Sequence, residues 1–341
     1  MLLLLQDGGK TWYSDTDMRK LLLLRLCAAS ALLLPMCDSF DGPPPVGQVK
    51  AVDPEADALM AEAKAYQAEG KASKARSLLK EIVRYHKLAP NAAEARYMLG
   101  QSYESTEDYR DAFKEYGKLI DRYPQSDLYE SAINRQLSMA MDAADGKMIV
   151  PVFWGAWNTT MESSVVVKWL REIVDKAPYN DTAAHASAVL AKFLEDQGRP
   201  EEARMEYAKL VERYPDSKYA PDAQMKVASL WASSHTRGDN NLVNLSNARE
   251  AYEEFTLRFP KHAEAGKARA EAARMDKLMV QQQLEVGRYY LERSNEYTSA
   301  IFCFEDVIRQ KKLNPEAAQE AESLLARAKE AAAAAQVNTE S

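Results

Sequence analysis

Residues 109–126, YRDAFKEYGKLIDRYPQS, decide the fold. Their apolar positions, Ala112, Tyr116, Leu119 and Ile120, recur at three- and four-residue spacing. That spacing collects them on one face of a helix and leaves the charged remainder in water. Pro124 stops the helix, because proline has no amide hydrogen to donate and its ring clashes with the preceding turn. The phrase then returns as PEEARMEYAKLVERYPDS at 200–217 and LSNAREAYEEFTLRFPKH at 245–262, with Ala112, Ala203 and Ala248 each twelve residues before Pro124, Pro215 and Pro260. A fourth copy, SSVVVKWLREIVDKAPYN at 163–180, keeps that distance from Val166 to Pro178. Residues 73–90 and 297–315 open and close the series, with fifteen residues from Ala75 to Pro90 and from Ala300 to Pro315. Six copies of one amphipathic helix imply a repeat architecture.

A second helix precedes each phrase, clearest in AEARYMLGQSYEST, where Leu99, Gly100 and Tyr103 point to one side. Gly100 and Ala112 are small where two antiparallel helices approach closely. The pattern resembles the tetratricopeptide repeat, whose period is about 34 residues with Leu-Gly, Tyr, Ala and Pro signatures. The resemblance implies an all-α solenoid of antiparallel helix pairs over residues 54–328, followed at 329–341 by an Ala-rich helix end and a disordered tail. Pro90 to Pro124 is 34 residues, but the later intervals are 54, 37, 45 and 55, so insertions or an additional helix must fill the excess. One insertion, near 145–160 (DGKMIVPVFWGAWNTT), is rich in aliphatic and aromatic residues, among them Phe153, Trp154 and Trp157. It is either a knuckle for a partner or membrane, or a cover over a gap between repeats. The other, near 234–245 (SHTRGDNNLVNL), reads as a polar surface loop.

Composition agrees with helices. Hydrophobic residues make up 46% and charged residues 28% of 341, with only 13 Gly and 14 Pro, which excludes extensive disorder and turn-rich β architecture. A net charge of −7 argues against a nucleic-acid partner. The sequence also lacks the convergent polar groups that an enzyme needs. His86, His185, His235 and His262 are scattered without metal-ligand spacing, and no phosphate-binding or nucleophile-elbow motif occurs. Cys303, amid Ile301, Phe302 and Phe304, reads as a buried, inert thiol. The expectation is no catalysis, no metal and no cofactor.

The N-terminus carries a different signal. Met18, Arg19 and Lys20 precede an apolar run from Leu21 to Met36, so translation is expected to start at Met18 and residues 1–37 to form an upstream extension and export signal. Leu34 stands three before Cys37, which resembles a bacterial lipoprotein signal and implies lipid attachment at Cys37. Cleavage near Ala29-Ser30-Ala31, leaving a soluble periplasmic protein, is the alternative. Residues 38–53, rich in proline, would then tether the body. Asp38 resembles an inner-membrane retention signal, so either membrane remains open.

Near the C-terminus, Val286, Gly287, Tyr289 and Tyr290 are followed by Tyr297, Ser299, Ala300 and Ile301. With the Tyr-Pro-x-Ser helix ends at Tyr123–Ser126 and Tyr214–Ser217, this resembles the BamD family of outer-membrane assembly lipoproteins. The resemblance implies a lipid-anchored scaffold on the periplasmic face of the outer membrane. Its partners would be the outer-membrane insertion machinery and unfolded outer-membrane protein segments. Phe302 and Cys303 stand where that family has Asn and Arg, so docking charge is expected from neighbours such as Arg288 and Arg293. The helical spacing of Tyr289 and Tyr290 from Val286 places both in the core. The repeat pattern puts Glu94, Tyr97, Gln101 and Glu104 of one repeat and His185, Lys192 and Glu195 of another on the partner-binding groove. A different periplasmic scaffold, coordinating envelope synthesis or division, shares all of these features.

Overall fold

The computed structural model describes residues 52–152, 157–178, 180–234 and 241–340. The export signal, Cys37, the tether up to residue 51, Phe153 and Trp154 of the first insertion, and residues 235–240 of the second lie outside them. Thirteen helices and one two-stranded hairpin make up the described residues. Helices pair in sequence: α1 Pro54–Ala68 with α2 Ala72–Tyr85, α3 Ala92–Glu104 with α4 Tyr109–Arg122, and α5 Tyr129–Ala144 with α6 Ser163–Lys176. Then come α7 Asp181–Asp196 with α8 Pro200–Arg213, α9 Ala220–Ser234 with α10 Asn241–Arg258, and α11 Ala265–Tyr289 with α12 Tyr297–Arg309. A last helix, α13 Pro315–Glu340, closes the stack.

Local chemistry sets the helix ends. Asp53 and Asn180 cap α1 and α7 by accepting from the amides of Ala56 and Thr182 at 3.3 and 3.0 Å. In five of the six pairs the chain leaves the first helix through a left-handed residue: Gly70, Glu107, Gly146, Gly198 or Asn295. After Gly70, Glu107, Gly198 and Asn295 that conformation turns the chain back within two residues, so the second helix lies antiparallel on the first, whereas after Gly146 a β-hairpin intervenes before the second helix.

One core runs from Ala112 to Met275, fed by Tyr116, Leu170, Leu190, Leu194 and Phe255. The first pair adds Met60, Leu79 and Ile82, which cluster with Leu99 of α3. A separate cluster, from Val280 to Ala328, is built around Leu284, Phe304 and Val307. Helix α11 belongs to both, because its first half packs in the main core and its second half pairs with α12. Its 25 residues explain the long interval before Pro315.

The first insertion is a β-hairpin, with β1 Ile149–Val152 antiparallel to β2 Trp157–Thr160 and Ile149 opposite Thr160. Met148 and Met161 flank it, are buried in the main core, and share a backbone hydrogen bond of 3.3 Å. The base of the insertion therefore fills space between α5 and α6, while Ile149 is half exposed.

Three expectations need correction. Residues 241–245 are not surface loop but the first turns of α10, where Leu245 is buried in the core. The helix opening at Pro315 continues to Glu340, so the Ala-rich helix end expected from residue 329 runs on where a disordered tail is expected to follow it. Tyr289 is 59% exposed, because Gly287 is the residue that faces α12 and a step of two residues turns a side chain to the far side. Tyr290 opens a π-helical turn, Tyr290–Ser294, and packs partly against the C-terminal cluster.

Candidate functional site

The first helices of successive pairs lie side by side, and polar contacts join them. Lys64 of α1 reaches Glu94 of α3 at 2.7 Å. Arg135 of α5 donates through Nε to both oxygens of Glu104 of α3, at 2.9 and 2.8 Å, and through its Nη2 to Oε2. Asn180, at the start of α7, donates to Glu130 of α5 at 2.9 Å, and Lys226 of α9 meets Glu195 of α7 at 2.7 Å. Arg288 of α11 contacts Glu320 of α13 and also Glu285, the latter at 2.9 Å. The half-exposed pairs among them, such as Lys64 with Glu94, each contribute between about 0 and 1 kcal/mol, so they set register more than stability, whereas the Glu104 carboxylate is largely buried.

Two concavities open on this face, one on each side of α5. The first, about 480 Å³, is lined by Tyr97, Gln101, Glu104, Ser105 and Arg135. Tyr97 packs at a tilt on Tyr116, with ring centroids 5.4 Å apart. Burial first, and then the Glu104 carboxylate, push the Tyr116 hydroxyl far above the ordinary phenol range, so it stays protonated. Gln101 is exposed at the rim.

The second concavity, about 370 Å³, lies where Asn134 of α5, Thr182 and His185 of α7, and Lys218 and Tyr219 before α9 converge. The His185 ring stacks on Tyr219 at 4.9 Å with 14° between planes. Burial, aided by Lys218, lowers the His185 pKa, so the imidazole is neutral near pH 7. The Thr182 hydroxyl donates to Asn134 at 3.0 Å. The surface offers an aromatic plate, an imidazole and amide groups, which suit an extended or helical peptide.

The structure thus gathers Tyr97, Gln101 and Glu104 in one concavity and His185 in the other. Glu94 and Glu195 serve as links between repeats. Lys192 pairs with Asp196 on its own helix at 2.6 Å, and Asp196 raises its pKa. Glu195 also accepts from the Tyr207 hydroxyl at 3.0 Å. Arg288 ties α11 to α13, whereas Arg293 is exposed on the π-helical turn, so these two arginines have different surroundings. Sequence reading missed Arg135 and Asn134. The signal for Arg135 was the pairing of opposite charges about one repeat apart: Lys64 and Glu94, Glu104 and Arg135, Glu195 and Lys226, Arg288 and Glu320; uncharged Asn134 carried none.

Cys303 is buried, and burial followed by Asp306 raises its thiol pKa, which disfavours the reactive thiolate. Among the described residues no group of three or more His, Cys, Asp or Glu side chains could hold a metal ion, and no helix is long and apolar enough to cross a membrane.

The tetratricopeptide-repeat family matches residues 60–127 and again 190–217. No curated protein matches the chain. Solved structures similar to it include MamA from Desulfovibrio magneticus, at 16% identity over 62% of this chain and 97% of that one, with a TM-score of 0.29. PilF from Pseudomonas aeruginosa, at 15% identity, covers 80% of this chain and 99% of its own with a TM-score of 0.29. YrrB, described as a TPR protein with an unusual peptide-binding site, is 16% identical over 64% of this chain and 94% of its own, with a TM-score of 0.30. None of these matches brings a catalytic family with it. Six helix pairs with the repeat signature, closed by α13, make the chain an all-α tetratricopeptide-repeat solenoid, a scaffold suited to binding protein partners.

Proposed function

We propose that the chain is a membrane-anchored scaffold of the bacterial periplasm that holds protein segments during outer-membrane β-barrel assembly. The observation that carries the scaffold reading is the pair of concavities flanking α5, in which aromatic, amide and imidazole groups face outward from rigid helices. An anchor at Cys37 is supported by the apolar run that ends at Met36 and by Leu34 three residues before Cys37, and the assembly role by the Val286–Tyr290 and Tyr297–Ile301 pattern. The outer membrane is the expected site, with the body in the periplasm. Tagged protein recovered from gently solubilised membranes should bring the outer-membrane insertion machinery with it. Recovery of division or wall-synthesis proteins in its place would transfer the same scaffold to envelope synthesis.

A further inference from the structure

Helix α2 differs from the second helix of every other pair in its charge. It carries Lys74, Arg76, Lys80 and Arg84 against one carboxylate, Glu81, while in the other five second helices acids and bases balance to within one charge. Ala75, Leu79, Ile82 and Val83 fill the core face of α2. At 100° per residue, Lys80, Arg84, Glu81, Lys74 and Tyr85 then share the opposite arc, and all five are exposed. The three cations on that arc rest on aromatic rings and not on carboxylates. Lys74 lies 5.2 Å from the Tyr66 centroid, Lys80 5.3 Å from Tyr103, and Arg84 5.3 Å from Tyr85. Among the described residues none of the three has an ion-pair partner, whereas their neighbours Lys71 and Arg76 do, in Glu69 and Asp108. Tyr85 is 68% exposed and has an apolar body with a polar tip, the character of side chains that settle at lipid headgroup level.

We infer that the outward face of α2 rests on anionic lipid headgroups, so that the first repeat lies against the membrane. The inference rests on the membrane-anchored reading above. Asp53 follows Cys37 by sixteen residues, at most about 55 Å of extended chain, which keeps the first pair within reach of any lipid attached there. Charge complementarity selects the occupant: in a chain of net charge −7, three cations without ion-pair partners among the described residues share one arc of α2, where basic side chains near an anionic bilayer each gain about fivefold in affinity.

The test compares full-length protein on vesicles of phosphatidylcholine alone and on vesicles that also contain phosphatidylglycerol. Binding to the anionic vesicles should be stronger by up to on the order of 100-fold, and added salt should remove the difference. The variant Lys74→Gln/Lys80→Gln/Arg84→Gln should keep its helical circular dichroism and its binding to neutral vesicles but lose most of the gain, and each single substitution should lose part of it. Equal binding of the wild type to both vesicles, or a triple variant that keeps the full gain, overturns the inference. Capture of soluble polyglutamate with no gain on anionic vesicles overturns it too, by making α2 a docking face for acidic protein. Failure to bind neutral vesicles counts against the anchor alone, because the anionic gain still decides the role of α2.

Discussion

The ring of Tyr116 occupies the space that a side chain on Gly100 would need: a Cβ at that position would lie 2.6 Å from Cε1 and 2.8 Å from Cζ. The last pair repeats the relationship, with Phe304 set 2.7 Å from the corresponding point on Gly287. A missing side chain on the first helix therefore receives an aromatic ring from the second, one turn beyond the small residues Ala112 and Ala300. Both rings are fully buried, so neither can swing aside without disturbing the core.

Gly100→Leu should consequently destabilise the protein. Overpacking costs about 1 to 3 kcal/mol, while replacing glycine within a helix returns about 1 kcal/mol of propensity. Urea denaturation followed by circular dichroism should show a lower midpoint. Pairing Gly100→Ala with Tyr116→Leu should recover part of the loss from Gly100→Ala alone, since the ring is the obstacle. A midpoint unchanged in Gly100→Leu would place the close contact elsewhere.

Arg135 holds Glu104 with three contacts, and the Glu104 side chain is only 12% exposed. Arg135→Ala removes the partner and leaves a poorly hydrated carboxylate beside the Tyr116 hydroxyl. An unsatisfied buried group costs about 1 to 3 kcal/mol. Glu104→Gln in the Arg135→Ala background should restore part of the stability by removing the stranded charge. If the two substitutions simply add, the link between α3 and α5 does not hold the repeats in register.

The hydroxyls of Tyr116 and Tyr207 both have pKa values raised above 10.0, by burial first and then by Glu104 and Glu195 respectively. In the unfolded chain these phenols ionise near pH 10, while in the fold they hold their protons, so the folded state binds more protons above that pH. Stability is therefore constant below pH 10 with respect to these groups and falls as pH rises beyond it. Phenolate absorbance should rise together with loss of helix on alkaline titration. Tyr116→Phe and Tyr207→Phe should each flatten the alkaline decline, and an unchanged slope in both would assign it to other groups.

The helix pairs were legible because the alanine-to-proline interval repeats and the apolar spacing is helical, features set by local sequence. The hairpin was not, because Pro151 sits inside β1 and proline weakens any strand reading, although on a two-stranded ribbon its missing amide hydrogen is tolerated. The double role of α11 was hidden for another reason. Its sequence is continuously helical, and only packing divides Met275, in the main core, from Val280, in the C-terminal cluster. Glu104 was recognised as a residue of the first-helix face, yet its partner Arg135 was not, since each looks like ordinary solvated charge until the repeats are stacked.

Docking of a barrel-inserting partner on the C-terminal pair can now be tested with substitutions that separate binding from folding. Arg288 bridges α11 to Glu320 of α13, so Arg288→Glu sets two carboxylates against each other and should loosen α13. Hydrogen exchange across 315–328 should accelerate in that variant, whatever its effect on partners. Arg293 lies exposed on the π-helical turn, away from that bridge, and Arg293→Glu should leave exchange in α13 unchanged. If the partner surface is acidic, the reversed charge repels it and co-purification with the insertion machinery falls while the fold survives. Tyr289→Ser offers a second probe of the same region, because an exposed aromatic ring is a common anchor at protein interfaces and its removal costs little in the monomer. Undiminished co-purification in both Arg293→Glu and Tyr289→Ser would move the docking surface away from the end of α11.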